Sequence, residues 1–365
     1  MGPKACASFR QRLLAWYDRA RRDLPWRRTR DPYAIWVSEV MLQQTRVEAV
    51  IPYYERFLRA FPTPRDLAAA PEEEVLALWS GLGYYSRARN LRAGAGLIAE
   101  RGEFPREWDE ARALPGIGDY TAAAVLSIAF DRPHAVVDGN VARVLARWLT
   151  LDPPHDRPAS LKSLAAELLD AARPGDWNQA MMELGATVCT PRGPSCADCP
   201  VEADCRARAT QAISRYPRPR ARPTPVEVRG ALLLLRDARG HLYLERGRWR
   251  LLPTLWIPPV LEGLSIEATL FAEARSKSEG WQQSLILGGR SALDAILARS
   301  SATTIGVLQH SITHHKIRLE VARVECHASG VDSEEGRWLS TEELSRLGRS
   351  SLLQKALRVE EGWSR

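Results

Sequence analysis

The chain has 365 residues, long enough for two or three domains with real cores, and its 45% apolar and 26% charged content is that of a folded globular protein. No apolar run approaches the length of a bilayer span, which argues against a membrane protein. The formal charge of +7 and the pI of 9.2 suit a polyanionic partner, although arginine is used freely throughout the chain, which weakens that inference.

Residues 8–205 read as one short helix after another. Arg10, Arg12, Arg19, Arg21 and Arg22 run directly into Leu24-Pro25-Trp26, so this basic start reads as the first helix of a soluble protein and not as a transit peptide. Asp31-Pro32 is an N-cap followed by proline in the first turn, and apolar residues at helical spacing carry the helix to about Gln44. Pro52 is placed to start or bend the next helix, Pro62 and Pro64 break the chain, and residues 71–74 open another helix with acids where its dipole favours them. Gly81, Gly83, Gly94, Gly96 and Gly102 punctuate further short helices. Residues 121–130 are apolar on every side, so that helix must be central and buried.

After Cys205 the character changes. Arg206, Arg208, Arg215, Arg218, Arg220 and Arg222 are interspersed with Pro217, Pro219, Pro223 and Pro225, a composition that predicts a semi-rigid basic linker without helix or sheet. From Val228 the pattern becomes β: residues 232–235, a turn at 237–240 and residues 241–244 read as a hairpin. Further strands are predicted at 304–308 and 317–324, with helical stretches near 266–280 and 341–356. The predicted boundaries are a helical domain at 1–205, a linker at 206–227 and an α+β domain at 228–365.

Cys189, Cys196, Cys199 and Cys205 follow C-x6-C-x2-C-x5-C spacing and can converge on one inorganic centre. Two disulfides fit poorly, because the start of the chain does not read as a secretory signal and a reducing compartment is expected. An iron–sulfur cluster and a structural zinc both remain open on spacing alone; the cluster is favoured because only one pair is close enough for a zinc knuckle. Cys6 and Cys326 are read as ordinary thiols. Leu114-Pro115-Gly116-Ile117-Gly118 is a helix-hairpin-helix signature, whose glycines let backbone N–H groups approach a phosphate at the start of the following helix. Glu39 shares a helix face with Ile35, Trp36, Leu42 and Gln43, so its pKa is expected to be raised. Asp138 is the expected N-cap of a later helix, held rigid and ionised. One neutral and one ionised acid is the combination that glycosidic cleavage through an oxocarbenium-like transition state requires.

Six strings in order resemble the adenine DNA glycosylases of the endonuclease III superfamily, enzymes that remove adenine mispaired with 8-oxoguanine. They are Leu24-Pro-Trp-Arg27, Trp36-Val-Ser-Glu-Val-Met-Leu-Gln-Gln-Thr45, Gly81-Leu-Gly-Tyr-Tyr-Ser-Arg-Ala-Arg-Asn-Leu91, Leu114-Pro-Gly-Ile-Gly-Asp-Tyr-Thr-Ala122, Val137-Asp-Gly-Asn-Val141 and the cysteine set. The resemblance is dense over residues 8–205 and looser over 228–360. It implies a mainly α helix-hairpin-helix glycosylase fold carrying a [4Fe–4S] cluster on the four cysteines, followed by an α+β, nudix-like 8-oxoguanine-recognition domain. It implies that Glu39 protonates adenine N7 and that Asp138, with Asn140 beside it, stabilises the sugar cation. By the same resemblance Gln44 and Tyr84 intercalate, Trp26, Arg27 and Gln179 line the adenine pocket, and Thr45, Leu82, Arg87, Leu114, Gly116 and Gly118 contact DNA or the base.

Where bifunctional relatives have a Schiff-base lysine this chain has Tyr120, which implies base removal without efficient strand cleavage. Ile312-Thr313-His314 stands where the family has a Phe-Ser-His loop against 8-oxoguanine, so Thr313 and His314 are the expected contacts, without the aromatic face. The tail contains no Glu-rich nudix signature for magnesium. The implied partner is double-stranded DNA with A:8-oxoguanine or A:G mispairs, bound by a monomer that is cytoplasmic and nucleoid-associated, with no membrane contact. The rival readings are a bifunctional glycosylase/lyase, disfavoured by Tyr120 and by the β-rich tail, and a DNA-binding protein without chemistry, disfavoured by the presence of Glu39 and Asp138.

Overall fold

The computed structural model describes residues 3–153, 157–218, 223–264, 300–326, 336–347 and 350–363. They fall into two compact units, Met1–Ala70 with Tyr84–Ala221, and Pro71–Gly83 with Arg222–Arg365. In chain order the helices of the first part are α1 (Pro3–Ala20), α2 (Pro32–Leu42), α3 (Val47–Ala60), α4 (Pro64–Ala69), α5 (Glu72–Trp79), α6 (Ser86–Arg101), α7 (Trp108–Arg112), α8 (Asp119–Phe130), α9 (Gly139–Leu149), α10 (Pro158–Leu168), α11 (Pro174–Thr187) and the single turn α12 (Arg206–Ala209). Among them only α5 belongs to the second unit. None of the described helices is long and apolar enough to cross a membrane.

Local chemistry accounts for the boundaries that matter to the site. The Asp31 carboxylate accepts the Tyr33 N–H at 3.0 Å, and Pro32 occupies the first position of α2, where its missing N–H costs nothing. All residues of α2 from Tyr33 to Met41 are buried, so the helix is surrounded and does not present one apolar face as its spacing suggested. The same holds for α8, buried from Thr121 to Ile128 as its apolar run requires. Pro52 neither starts nor ends a helix but lies inside α3. Around α9 and α11, the core joins Phe9, Leu13 and Tyr17 of α1 to Val144, Leu145 and Trp148 of α9 and to Trp177, Met181 and Leu184 of α11.

The basic stretch after Cys205 departs from its expected linker character. Arg206–Ala209 form a helical turn with Ala207 buried, and Ile213–Arg215 form a 3-10 turn. The first proline comes only at Pro217, so nothing in residues 206–216 forbids helical geometry.

The second unit contains strands β1 (Val226–Arg236), β2 (Leu242–Glu245), β3 (Val260–Glu262), β4 (Ser300–Ile312), β5 (His315–Cys326) and β6 (Gly336–Leu339), then α13 (Thr341–Arg346) and α14 (Ser351–Trp363). The sheet order is β4-β5-β1-β2-β6, with β3 also on β1; β1 and β5 run parallel and the other pairs antiparallel. Residues 230–235 of β1 are buried on both faces, as a central strand demands. The helical stretch expected at 341–356 is two helices, the first opened by a capping box between Ser340 and Glu343. The helix expected at 266–280 lies outside the described residues. The class is therefore the expected one, a mainly α first part and an α+β second part.

One glycine fixes how closely α11 approaches the start of α9. A Cβ built on Gly185 would lie 2.5 Å from the Asn140 Cβ and 3.0 Å from its backbone. Gly185→Ala is expected to lower unfolding free energy by about 1–3 kcal/mol through this overpacking. Urea denaturation measures it, and an unchanged midpoint would contradict the tight contact.

Candidate active site

Within the first unit a cavity of about 180 Å3 is lined by Trp26, Arg27, Glu39, Thr45, Tyr120, Asp138, Asn140 and Gln179, together with Arg22, Leu24, Ile35, Ser38, Leu42, Val47, Ile128, Met182, Glu183 and Ala186. An apolar cavity of roughly 150 Å3 holds a benzene ring, so this one has room for an aromatic base. The predicted side chains arrive from several separate elements. The 3-10 turn Pro25–Arg27 brings Trp26, which packs edge-on to Tyr54 with ring centroids 5.4 Å apart. Helix α2 brings Glu39, α8 brings Tyr120, the α9 N-terminus brings Asp138 and Asn140, and α11 brings Gln179.

Three carboxyls in this cavity are driven to different protonation behaviour. Glu39 is 5% exposed, and desolvation pushes its pKa from 4.5 up to about 7. The Tyr120 hydroxyl, which donates to Glu39 Oε2 at 2.6 Å, and Arg27 oppose that rise, while the charge of Asp138 adds to it. The Tyr120 phenol is itself pushed well above its usual pKa by burial and by Glu39, so it remains a donor. Burial also disfavours ionisation of Glu183, but Arg22 and Arg27 outweigh it and hold its carboxyl at about 2. Arg22 Nε donates to Glu183 Oε1 at 2.8 Å, and Arg22 Nη2 and Arg27 Nη2 each donate to Oε2 at 2.8 Å. Asp138 caps α9, accepting the Val141 N–H at 2.7 Å and the Asn140 side-chain amide at 2.8 Å. Burial raises the Asp138 pKa, and these donors with Arg143 pull against it, so its expected ionised state is held by contacts and opposed by its surroundings.

The other predicted residues lie elsewhere in this unit or in the second one. Gln44 is exposed just beyond α2 with φ 60°, and Tyr84, 44% exposed, has φ 47°. A left-handed conformation in a non-glycine residue costs about 1–3 kcal/mol and collects at functional turns. Arg87, read from sequence as a DNA contact, directs Nη1 at the carbonyls of Val40, Met41 and Gln43, 2.7, 3.2 and 2.6 Å away. Leu114 is buried in the hairpin, Gly116 has φ 76°, and Gly118 is the exposed N-cap of α8. Leu82 belongs to the second unit and is buried there. In that unit Thr313 and His314 are exposed in the tight turn between β4 and β5, Thr313 with φ 53° and the His314 ring 4.2 Å from that of His315.

All four loop cysteines are free thiols, and they line a single pocket with Arg147, Val188, Pro194, Glu202, Arg208 and Ile213. Among the described residues no three Cys, His, Asp or Glu side chains are gathered around one ion position. Four thiols lining one pocket are a donor set that suits a thiolate-held metal or cluster. The charge balance also fits: Arg147 is 3% exposed, with Nη1 3.4 Å from Cys189 Sγ and 2.6 Å from the Thr190 carbonyl, so a buried cation stands beside the thiols.

Residues 37–169 match the family model of the HhH-GPD superfamily base excision DNA repair proteins. A solved thermostable thymine-DNA glycosylase superposes with a TM-score of 0.53 at 31% identity, covering 57% of this chain and 98% of that one. The chain belongs to the HhH-GPD superfamily. Within the superfamily it is 54% identical over 214 residues to the adenine DNA glycosylase of Rattus norvegicus, covering 55% of this chain and 42% of the rat protein. With the Homo sapiens adenine DNA glycosylase the identity is 54% over 215 residues, covering 55% of this chain and 39% of the human one. The chain thus matches about two fifths of the length of these relatives.

The carboxyl electrostatics yield a stability test. The Glu39 pKa in the fold lies above its ordinary 4.5, so burial is harmless at low pH, where the group is protonated folded or unfolded, and stability is lost as pH rises through about 7. Glu39→Gln is therefore expected to stabilise the protein by up to about 3 kcal/mol at pH 8, and by little near pH 4.5. Chemical denaturation at both pH values measures this; an equal effect at the two would contradict a raised pKa.

Proposed function

We propose that the chain is an adenine DNA glycosylase that removes adenine opposite 8-oxoguanine or guanine from duplex DNA and leaves an abasic strand uncut. The observation that carries this reading is Glu39, a buried carboxyl with a pKa near 7 in a base-sized cavity shared with Asp138. The relatives named adenine DNA glycosylase support the choice of base. Opening a glycosidic bond needs the leaving base protonated and the developing sugar cation stabilised. Glu39 holds its proton near neutral pH and delivers it to adenine N7. The Tyr120 hydroxyl receives the resulting carboxylate as a hydrogen-bond donor, already aligned at 2.6 Å. Asp138, fixed by the α9 N-terminus and Asn140, supplies negative charge to the sugar. Glu183 remains ionised at this pH and, with Arg27 and Gln179, offers fixed polar groups to the rim of the flipped base.

In this reading the strained Gln44 and Tyr84 turns enter the base stack as adenine leaves it, and Thr313 and His314 contact the 8-oxoguanine strand. Cys189, Cys196, Cys199 and Cys205 hold a [4Fe–4S] cluster, which when bound ties residues 189–205 into a single folded loop. Strand cleavage by a Schiff base needs an amine, and Tyr120 has none. Lys162, the lysine of α10, is engaged in an ion pair with Asp119.

Single-turnover assays on duplexes with adenine opposite 8-oxoguanine, guanine and thymine test the proposal. Adenine release is expected for the first two, with the strand breaking only after alkali. Glu39→Gln should retain DNA affinity and lose at least about a hundredfold in rate. A loss below tenfold, or nicking that keeps pace with adenine release, would contradict it.

A further inference from the structure

The first turn of α6 contains an arginine in an unfavourable place. Arg87 puts a cation at the positive end of its own helix, and burial pushes its pKa down to about 10. Its contacts account for this position. One terminal nitrogen meets the last-turn carbonyls of α2, those of Val40 and Met41, and also the carbonyl of Gln43, the residue immediately before the left-handed Gln44. The guanidinium carbon lies 5.5 Å from the Tyr84 ring centroid, and the Arg87 N–H donates to the carbonyl of left-handed Tyr84 at 2.9 Å. Two strained turns, forty residues apart in sequence, are therefore tied to one cation, through the Gln43 carbonyl on one side and the Tyr84 ring on the other.

We propose that Arg87 is a positioning residue that sets Gln44 and Tyr84 in advance in the conformations in which they enter the duplex, so that base flipping does not have to order them. The inference rests on the wedge role given to Gln44 and Tyr84 above. It gives Arg87 a role other than direct contact with DNA, since its Nη1 already faces three backbone carbonyls. Lysine is not equivalent: its ammonium could meet the carbonyls, but it has no extended planar group to lie by the Tyr84 ring at the same time.

The test uses the full chain and a duplex with a non-cleavable 2′-fluoroarabino adenosine opposite 8-oxoguanine, flanked by 2-aminopurine, whose fluorescence reports unstacking. Adenine release from the cleavable duplex is followed in parallel. Arg87→Lys is expected to slow unstacking and release at least about tenfold, leaving the pH midpoint of release where it was; in a Gln44→Ala/Tyr84→Ala background the same change should cost less than about twofold. Equal losses in both backgrounds would overturn the proposal. So would a salt-dependence slope of DNA binding reduced by about one, the mark of a lost phosphate contact, or global unfolding of Arg87→Lys. If the unaltered protein unstacks the reporter but releases no adenine from any duplex, the glycosylase reading fails, while the fluorescence comparison still decides the role of Arg87.

Discussion

The interaction on which the site depends is the burial of Glu39 without a cation bonded to it. Its helix is enclosed on every side, and the polar group bonded to its carboxyl is a phenol that does not ionise. A neutral donor stabilises the carboxylate enough for it to form, yet not enough to make it permanent. An arginine in the place of Tyr120 would pin the group ionised, and water in its place would return it to an ordinary acid. The enclosure of α2 is thus part of the chemistry.

Glu183 shows the opposite outcome in the same cavity. It is as deeply buried as Glu39, but two guanidiniums converge on it and lock it as an anion. Arg27 therefore serves both acids: it neutralises Glu183 directly and lowers the Glu39 pKa through space. Separating the pKa values of neighbouring carboxyls by environment is how a site gives one of them a proton to donate and the other a fixed charge. The α9 N-terminus adds a third condition, with Asp138 held by short local bonds that the close packing of Gly185 on Asn140 keeps in place.

Much of this was legible because its signals are local. Asp31-Pro32, the Asp138 cap, the apolar run in α8 and the cysteine spacing each specify their own few residues. What sequence could not disclose is pairing across long separations. Glu183 is bonded to Arg22 and Arg27, 161 and 156 positions away, and nothing in the string around it distinguishes it from a surface acid. Tyr120 was legible as the absence of an amine, but its bond to Glu39 spans 81 residues. The carbonyls that Arg87 meets were likewise hidden from the sequence, since those of Val40, Met41 and Gln43 lie 47, 46 and 44 positions away. The expectation that Glu39 lies on an apolar face gave the right direction of its pKa from an incomplete picture, since α2 is buried all round.

The claim at the centre of this account is that Glu39 carries a proton near neutrality. Carbon-13 NMR of the glutamate carboxyls, with Glu39→Gln used to assign the resonance, measures it directly. The account predicts a midpoint near pH 7 for Glu39. A midpoint near the ordinary 4.5 would contradict it, because the carboxyl would then be ionised at neutral pH with no proton to give.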